Sequence, residues 1–330
     1  MRVVVSDENI WPYLRDSEDL ADRTIELTHV PFTDPARLLD EIGRADAYVG
    51  VHFDDACARA VGPGFAFLQI TAAGTDHVAL DGLPTSVTVA NAYGHGRSIA
   101  EHVLMVTLAT RRHLLWRDAE LRQGRWRTRM TDPTAPLFAT LPGTVVGIIG
   151  LGHIGRAIAR LSRAVGMRPI GVRRSARHRD TTDPDLEWTD GMAALDELID
   201  ASDVLVVACP LTDETRGLID AARLRRLGAA GTLVNVGRGA VVDEAALYAA
   251  LRDGTIASAA LDVWNTQATS NTAPPSPHPF TELDNVIVTP HYSATADNTY
   301  QDRADEVVDN LVRCLDGVPP RNTVRSGALS

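Results

Sequence analysis

Short, apolar, β-rich runs alternate with helical stretches along almost the whole chain, the pattern of α/β architecture with parallel sheets. In the first ninety residues the runs 2–6, 24–29, 47–51, 67–71 and 88–90 read as strands, with helical stretches between them such as 35–43. A long helix is predicted over 98–123, where Ile99, Val103, Val106, Leu108 and Leu115 fall at helical spacing. A polar segment broken by prolines follows over 124–142. A second α/β series then opens, with strands expected at 144–150, 169–172, 204–208, 232–236, 258–261 and 285–289 and helices at 155–165, 191–199 and 244–253. Residues 265–279, rich in Pro, Thr and Ser, read as a loop, and a last helix is predicted over 294–315. The expectation is two doubly wound parallel-sheet α/β domains joined by long helices.

Composition narrows the chemistry. The 330 residues carry 32 basic and 43 acidic side chains, a net charge of −11, and every basic one is arginine. Without lysine there can be no Schiff base to substrate or pyridoxal phosphate. A G-x-x-x-x-G-K-[ST] phosphate loop and a tyrosine–lysine alcohol dehydrogenase site are excluded too. Anions must be held by arginine, backbone N–H groups or helix N-termini. The length fits about two domains at roughly 150 residues each. The 45% hydrophobic and 23% charged content is that of an ordinary globular protein. The acidic balance argues against nucleic acid as a partner. Cys57, Cys209 and Cys314 are odd in number and far apart, which implies a reducing compartment. The apolar run at the N-terminus is too short for a signal peptide or a membrane span, so a cytoplasmic protein with no membrane partner is expected.

The strongest local signal is Thr144-Val-Val-Gly-Ile-Ile-Gly150-Leu-Gly152-His153-Ile154-Gly155, a strand delivering G-x-G-x-x-G straight into a helix. Gly150 permits the tight turn, Gly152 lets a pyrophosphate approach the backbone, and Gly155 lets the helix pack on the strand. The N–H groups at the helix start then face the phosphates. NAD enzymes usually end the next strand with Asp or Glu for the ribose 2′-OH. Here it ends in Arg173-Arg174-Ser175, two guanidinium groups and a hydroxyl suited to a 2′-phosphate. NADP(H) is the expected coenzyme, with NAD(H) the alternative.

Six further segments resemble the D-isomer-specific 2-hydroxyacid dehydrogenase family. Val234-Asn-Val236-Gly-Arg238-Gly-Ala-Val-Val-Asp243 resembles its N-x-x-R-G-x-x-V-D signature, and Cys209-Pro210-Leu-Thr-Asp-Glu-Thr215 its P-L-T-x-x-T segment. Ala260-Leu-Asp262-Val-Trp264 resembles its A-L-D-V strand end, and Asn285-Val-Ile-Val-Thr-Pro-His291 its N-V-[IL]-x-T-P-H run. Ile70-Thr-Ala-Ala73-Gly74-Thr-Asp-His77 resembles its substrate loop, and Ser98-Ile-Ala-Glu-His102 the start of its interdomain helix. They stand in family order over about 67–316. The resemblance implies a flavodoxin-like substrate domain at 1–96 and 293–330, a Rossmann coenzyme domain at 97–292, an active site in the cleft between them, and a homodimer formed through the coenzyme domain and an arm at about 126–141.

It also implies roles. Arg238 would grip the substrate carboxylate and polarise the 2-keto oxygen beside it, and the Ala73–Gly74 amides would meet the carboxylate from the other side. His291 would be the acid/base that gives a proton to the developing alkoxide. Asp262 would accept from the nicotinamide carboxamide, a structural cap being the alternative. The coenzyme contacts implied beyond the glycine turn and Arg173–Ser175 are Cys209, Pro210, Thr215, Val236, Arg238, Asp262, His291 and Ser293. His95 and Arg97, near the expected hinge, are candidate substrate contacts, with a hinge role for their glycine neighbours the alternative. The remaining histidines show no metal-ligand spacing, so no metal is expected.

One departure stands out. The family places a glutamate five residues after the Asp of the A-L-D-V strand; counting from Asp262 gives Gln267. Glutamine can orient the His291 imidazole but supplies no charge to hold a proton on it. Glu282, or a shifted loop register, is the alternative partner. The D-V-W-x-x-Q run resembles the formate dehydrogenase branch, which needs no general acid, but that branch's N-terminal extension is missing and its asparagine is replaced by His95. The phosphite-oxidising branch is disfavoured by Ala73 in place of its lysine. The expected activity is reduction of a 2-keto acid such as glyoxylate or hydroxypyruvate to the D-2-hydroxy acid. Formate oxidation and a nucleotide-sensing, corepressor-like binding role are the alternatives.

Overall fold

The structure, a computed structural model, describes residues 1–75, 78–135, 137–176, 178–266 and 276–327. The chain divides into two compact units, Met1–His95 with Ala296–Ser330, and Gly96–Thr295. Unit 1 begins with β1 (Arg2–Val5), β2 (Glu26–His29), β3 (Ala47–Gly50), β4 (Phe67–Ile70) and β5 (Thr88–Ala90). Unit 2 holds β6 (Val145–Ile149), β7 (Arg168–Val172), β8 (Trp188–Asp190), β9 (Val204–Val207), β10 (Thr232–Asn235), β11 (Ser258–Leu261) and β12 (Val286–Val288). The chain then returns to unit 1 and ends in β13 (Thr323–Arg325).

Each unit is a doubly wound sheet. Unit 2 has the order β12-β11-β10-β9-β6-β7-β8, parallel throughout. Its direction of winding reverses between β6 and β9, the place where such sheets open a crevice at their carboxyl ends. Unit 1 has the order β13-β5-β4-β3-β1-β2, parallel except for β13 against β5. It reverses between β1 and β3. Sheets covered on both faces need continuous apolar strands, and β3, β4, β9, β10 and β11 are buried at every position. Two apolar layers flank each sheet: in unit 2, one includes Ile149, Leu205 and Leu233, and the other packs Ile99, Val103 and Val106 against Val146 and Ile148.

The predicted helix over 98–123 is two helices, Gly96–Arg111 and Leu114–Arg122. His113 interrupts them with a left-handed φ of +50°, and the Thr110 hydroxyl bonds back to the Val106 carbonyl at 2.8 Å. The apolar pattern of the second helix does not mark a buried face: Leu114, Leu115 and Leu121 are exposed, as are Trp126 and Met130 further on. The last helix starts at Thr299, not 294, after a turn at 292–295. The edge strands β8 and β13, three residues each, lie outside the runs that read as strands in the sequence.

The return of the chain to unit 1 is secured by Asn310, 1% exposed. Its Nδ2 donates to Gln69 Oε1 at 2.8 Å and to the Arg321 carbonyl at 3.2 Å, while its Oδ1 accepts from the Arg321 amide at 2.6 Å. Gln69 is itself buried in β4. Leucine at 310 would strand the Gln69 oxygen and the Arg321 amide, each worth about 1–3 kcal/mol when left without a partner. Asn310→Leu is therefore expected to lower the urea midpoint clearly; an unchanged midpoint would show that this bridge does not hold the helix.

Candidate functional site

The glycine turn lies at the winding reversal of unit 2. Gly150 ends β6 with φ +98°, and a Cβ there would stand 2.8 Å from the Cys209 backbone. A Cβ on Gly155 would stand 2.0 Å from the Gly150 carbonyl, so glycine is what lets the helix His153–Ala164 pack against the turn. Above Gly152 there is only open space. Gly152 is also the N-cap and supplies no side-chain cap. A tight turn, open space and an uncapped helix N-terminus suit a pyrophosphate, so these residues fit a dinucleotide.

At the end of β7, the Arg173 amide donates to the Asp190 carbonyl at 3.0 Å. Its side-chain Nε is buried without a partner among the described residues. Arg174 and Ser175 are exposed beside it. Glu214 is held below the usual carboxylate range, first by its hydrogen bond from the Thr212 side chain and in smaller part by the charge of Arg174. That places Arg174 near the loop after β9. In that loop the Thr215 hydroxyl donates to the Pro210 carbonyl at 2.7 Å and accepts from the Thr212 amide at 2.7 Å. The hydroxyl thus shapes the loop from within. Burial pushes the Cys209 thiol up to about 11, so it lines the turn as an uncharged apolar group.

Arg238 follows β10 in an extended conformation. Asn235 shapes this segment, accepting from the Gly237 amide at 3.1 Å and donating to the Arg238 carbonyl at 3.1 Å. A Cβ on Gly239 would overlap the backbone at Trp264, so the arginine stands on a segment pressed against the end of β11. Val236, just before it, is buried.

Asp262 follows β11 and is 1% exposed. Its Oδ1 accepts from the Thr289 hydroxyl at 2.6 Å and the Tyr292 amide at 3.0 Å, and its Oδ2 from the Ser293 amide at 3.1 Å. One buried carboxylate therefore gathers the whole segment after β12. Burial alone would push its pKa up, but the bonds from Ser293, Thr289 and Tyr292 outweigh this and hold it below the ordinary 3.8. Within this segment His291 is exposed and takes φ +56°, a conformation uncommon for a side-chain-bearing residue and costly without support. Ser293 is tied on its other side too, its carbonyl accepting from Ser98 at 2.7 Å. His102 ends the segment that resembles the start of the family's interdomain helix. It is buried and meets the Tyr292 ring edge-on at 5.4 Å. Burial lowers its pKa against the opposing pull of Asp262, so a neutral imidazole supports the turn from below.

In unit 1, the Ala73–Gly74 loop follows β4, and Asn91 Nδ2 donates to the Ala73 carbonyl at 2.6 Å. His95 is buried in unit 1. Arg97 belongs to unit 2, on a solvent-facing turn of the helix Gly96–Arg111, where it pairs with Glu101 at 3.0 Å. Gln267 lies outside the described residues. Among those described, no group of three or more His, Cys, Asp or Glu side chains is placed to hold a metal ion, and no helix is long and apolar enough to cross a membrane.

The family model described as "D-isomer specific 2-hydroxyacid dehydrogenase, NAD binding domain" matches residues 104–293, more than half of the chain. The chain belongs to the D-isomer-specific 2-hydroxyacid dehydrogenase family. It is 37% identical over 228 residues to a glyoxylate reductase of Aeropyrum pernix, a match covering 68% of this chain and 65% of that protein, so just under two thirds of that relative's length is spanned. It is 31% identical to a glycerate dehydrogenase of Methylorubrum extorquens, with 80% of each chain covered. Among solved structures it is similar to an NADPH-dependent glyoxylate/hydroxypyruvate reductase of Sinorhizobium meliloti in complex with NADP and malonate, at TM-score 0.75 and 28% identity, covering 98% of this chain and 96% of that one. The family's NAD-binding domain falls within unit 2, and its fold of two parallel-sheet α/β domains is the one seen here.

The turn that carries His291 is expected to depend on the charge of Asp262. A carboxyl whose pKa is depressed on folding stabilises the protein fully above its unfolded value, near 3.9, and this contribution fades as pH falls through the lower folded value. Asp262→Asn should cost about 1–3 kcal/mol at pH 7, and the gap to the wild type should close below about pH 4. Urea titrations at several pH values read this; a gap independent of pH would contradict the role assigned to the charge.

Proposed function

We propose that this dehydrogenase is an NADP(H)-preferring 2-keto-acid reductase of the glyoxylate or hydroxypyruvate type, forming the D-2-hydroxy acid. The observation that carries the proposal is that the glycine turn, Arg173–Ser175, Arg238, Asp262 and His291 all leave the carboxyl ends of strands of one parallel sheet. A bound nicotinamide coenzyme supplies the hydride to the substrate C2. The chain's own residues do the rest. The Arg238 guanidinium holds the carboxylate and draws charge toward the keto oxygen, and the Ala73–Gly74 backbone donates to the same carboxylate. His291 gives its proton to the oxygen as charge develops there. Its turn is held by Asp262, whose Oδ2 keeps an accepting position for the carboxamide. Gln267 is assigned to orient the imidazole without adding charge. The helix start at Gly152–Gly155 meets the pyrophosphate, and Arg173, Arg174 and Ser175 meet the 2′-phosphate, Arg173 with an Nε that has no hydrogen-bond partner among the described residues.

The names of the relatives support this reading, as does the NADP and malonate held by the Sinorhizobium enzyme. A panel of glyoxylate, hydroxypyruvate, pyruvate and formate with both coenzymes tests it. The expected result is turnover of the keto acids and a kcat/KM at least tenfold higher with NADPH than with NADH. Arg174→Ala should lower that ratio about tenfold, the worth of one charge-assisted contact. A tenfold preference for NADH would sink the coenzyme assignment. Turnover of formate alone would favour the formate reading, and no turnover at all the binding-protein reading.

His291→Gln is expected to reduce kcat for glyoxylate by about 100-fold or more, the usual contribution of a positioned acid, with a much smaller change in KM. Turnover within a few-fold of the wild type would remove His291 as the proton donor.

A further inference from the structure

Two segments of unit 2 that the proposed reaction uses meet at one side chain that it does not. Trp264 lies just beyond β11. Its backbone bears on the segment after Arg238. A Cβ on Gly239 would stand 2.6 Å from the Trp264 carbonyl oxygen and 2.7 Å from the Asn265 amide nitrogen, so the two backbones touch with no side chain between them. Asn265 extends the contact, its Nδ2 donating to Glu244 Oε2 at 3.3 Å at the start of the helix Glu244–Arg252. On the ring side, the Trp264 indole N–H donates to the Thr289 carbonyl at 2.9 Å. The ring is half-buried and meets the buried Phe280 edge-on at 6.2 Å. Packing therefore sets the direction in which the N–H points.

The Thr289 carbonyl is the last bonded group before His291. The Thr289 amide donates to the Leu261 carbonyl at 2.9 Å and its hydroxyl to Asp262 Oδ1 at 2.6 Å. With the carbonyl held by Trp264, all three polar groups of Thr289 are bonded to the run 261–264. A peptide group is planar, so fixing the Thr289 oxygen fixes the plane from which Pro290 leaves. The proline ring then sets its own φ at about −65°. One soft backbone angle, the Pro290 ψ, is left between that plane and the left-handed His291. Asp262 holds the far side of the same turn through the Tyr292 and Ser293 amides. Trp264 holds the near side, and it alone of the two also presses on the segment of Arg238. Neither phenylalanine nor tyrosine carries a ring N–H that could replace the indole donor.

We propose that Trp264 is a positioning residue that couples the Arg238 and His291 segments, so that the group holding the substrate carboxylate and the proton donor keep one separation during hydride transfer. This rests on the 2-keto-acid reductase reading and adds the part that keeps its two assigned groups in register.

The test compares the wild type, Trp264→Phe, His291→Gln and the double variant, using NADPH and glyoxylate. Trp264→Phe keeps a ring against Phe280 and removes the N–H. Its kcat should fall about tenfold, within the roughly 100-fold that a displacement of about 1 Å can cost, with both KM values within about threefold of the wild type. In the His291→Gln background the same change should cost less than about twofold, because groups that act as a unit are not additive. A kcat within about threefold of the wild type, or an equal loss in both backgrounds, overturns the proposal. Trp264→Tyr, which also lacks the N–H, takes the place of Trp264→Phe if that variant does not fold. Hydrogen exchange read by mass spectrometry keeps the proposal distinct from the reaction. The Tyr292 and Ser293 amides should exchange about tenfold faster in Trp264→Phe, while those of β6 keep their wild-type rates. If no acid is reduced, the reductase reading fails, but the coupling stands if this local change is seen. Exchange at wild-type rates, or faster exchange everywhere alike, overturns it.

Discussion

The geometry of the candidate site depends on one buried carboxylate. Asp262 sits where β11 ends and collects three donors from the segment after β12, 27 to 31 residues further along the chain. Those bonds tie down both sides of the turn in which His291 takes a left-handed backbone. A charge so deeply buried is sustained only by donors aimed at it, and here two come from the backbone and one from Thr289. The packing continues outward through Tyr292 and His102, and through the Ser293 carbonyl to Ser98 at the start of the helix Gly96–Arg111. That helix in turn packs Ile99, Val103 and Val106 on the sheet that ends in the glycine turn. The His291 turn, the sheet and the glycine turn are thus parts of one packed body.

The absence of lysine gives charge in this protein an unusual form. Arginine must cover the surface, as in the two-pronged pair of Arg168 with Glu187 at 2.8 Å and the pair of Arg156 with Asp183 at 2.6 Å. The same residue type must also serve anions, beside backbone N–H groups and helix N-termini. Arg173 and Arg303, like Arg111, differ from most surface arginines in having an Nε that is buried without a hydrogen-bond partner among the described residues. Arg173 stands at the carboxyl edge of the unit 2 sheet. A net charge of −11 therefore describes the outer surface and not the places where anions are expected to bind.

Much of the candidate site was legible because it is local. The G-x-G-x-x-G turn spans six residues, and its requirements are set by backbone sterics within that span. Arg238 and His291 are marked by short segments around them. Arg303 left no such trace, and the segment ending in His102 gave no sign of its contact with Tyr292. Each is a polar side chain on a helix, where it reads as a surface position. Their significance comes from Tyr292 and His95, 190 and 208 residues away in the chain. Thr215 shows the converse, since a segment suggestive of coenzyme contact uses that hydroxyl to close its own loop.

By itself the sequence determined the alternation of strand and helix, the dinucleotide turn and an arginine-only chemistry for anions. These follow from side-chain periodicity, glycine sterics and composition, all of which act over a few residues or none. Only the tertiary structure decided that the helix predicted over 98–123 breaks at His113, that Leu114, Leu115 and Leu121 face outward, that Asp262 holds the His291 turn, and that Arg303 meets His95. Those outcomes depend on which distant groups reach each other first and which are left without a partner. That is settled by how the sheets are wound and packed.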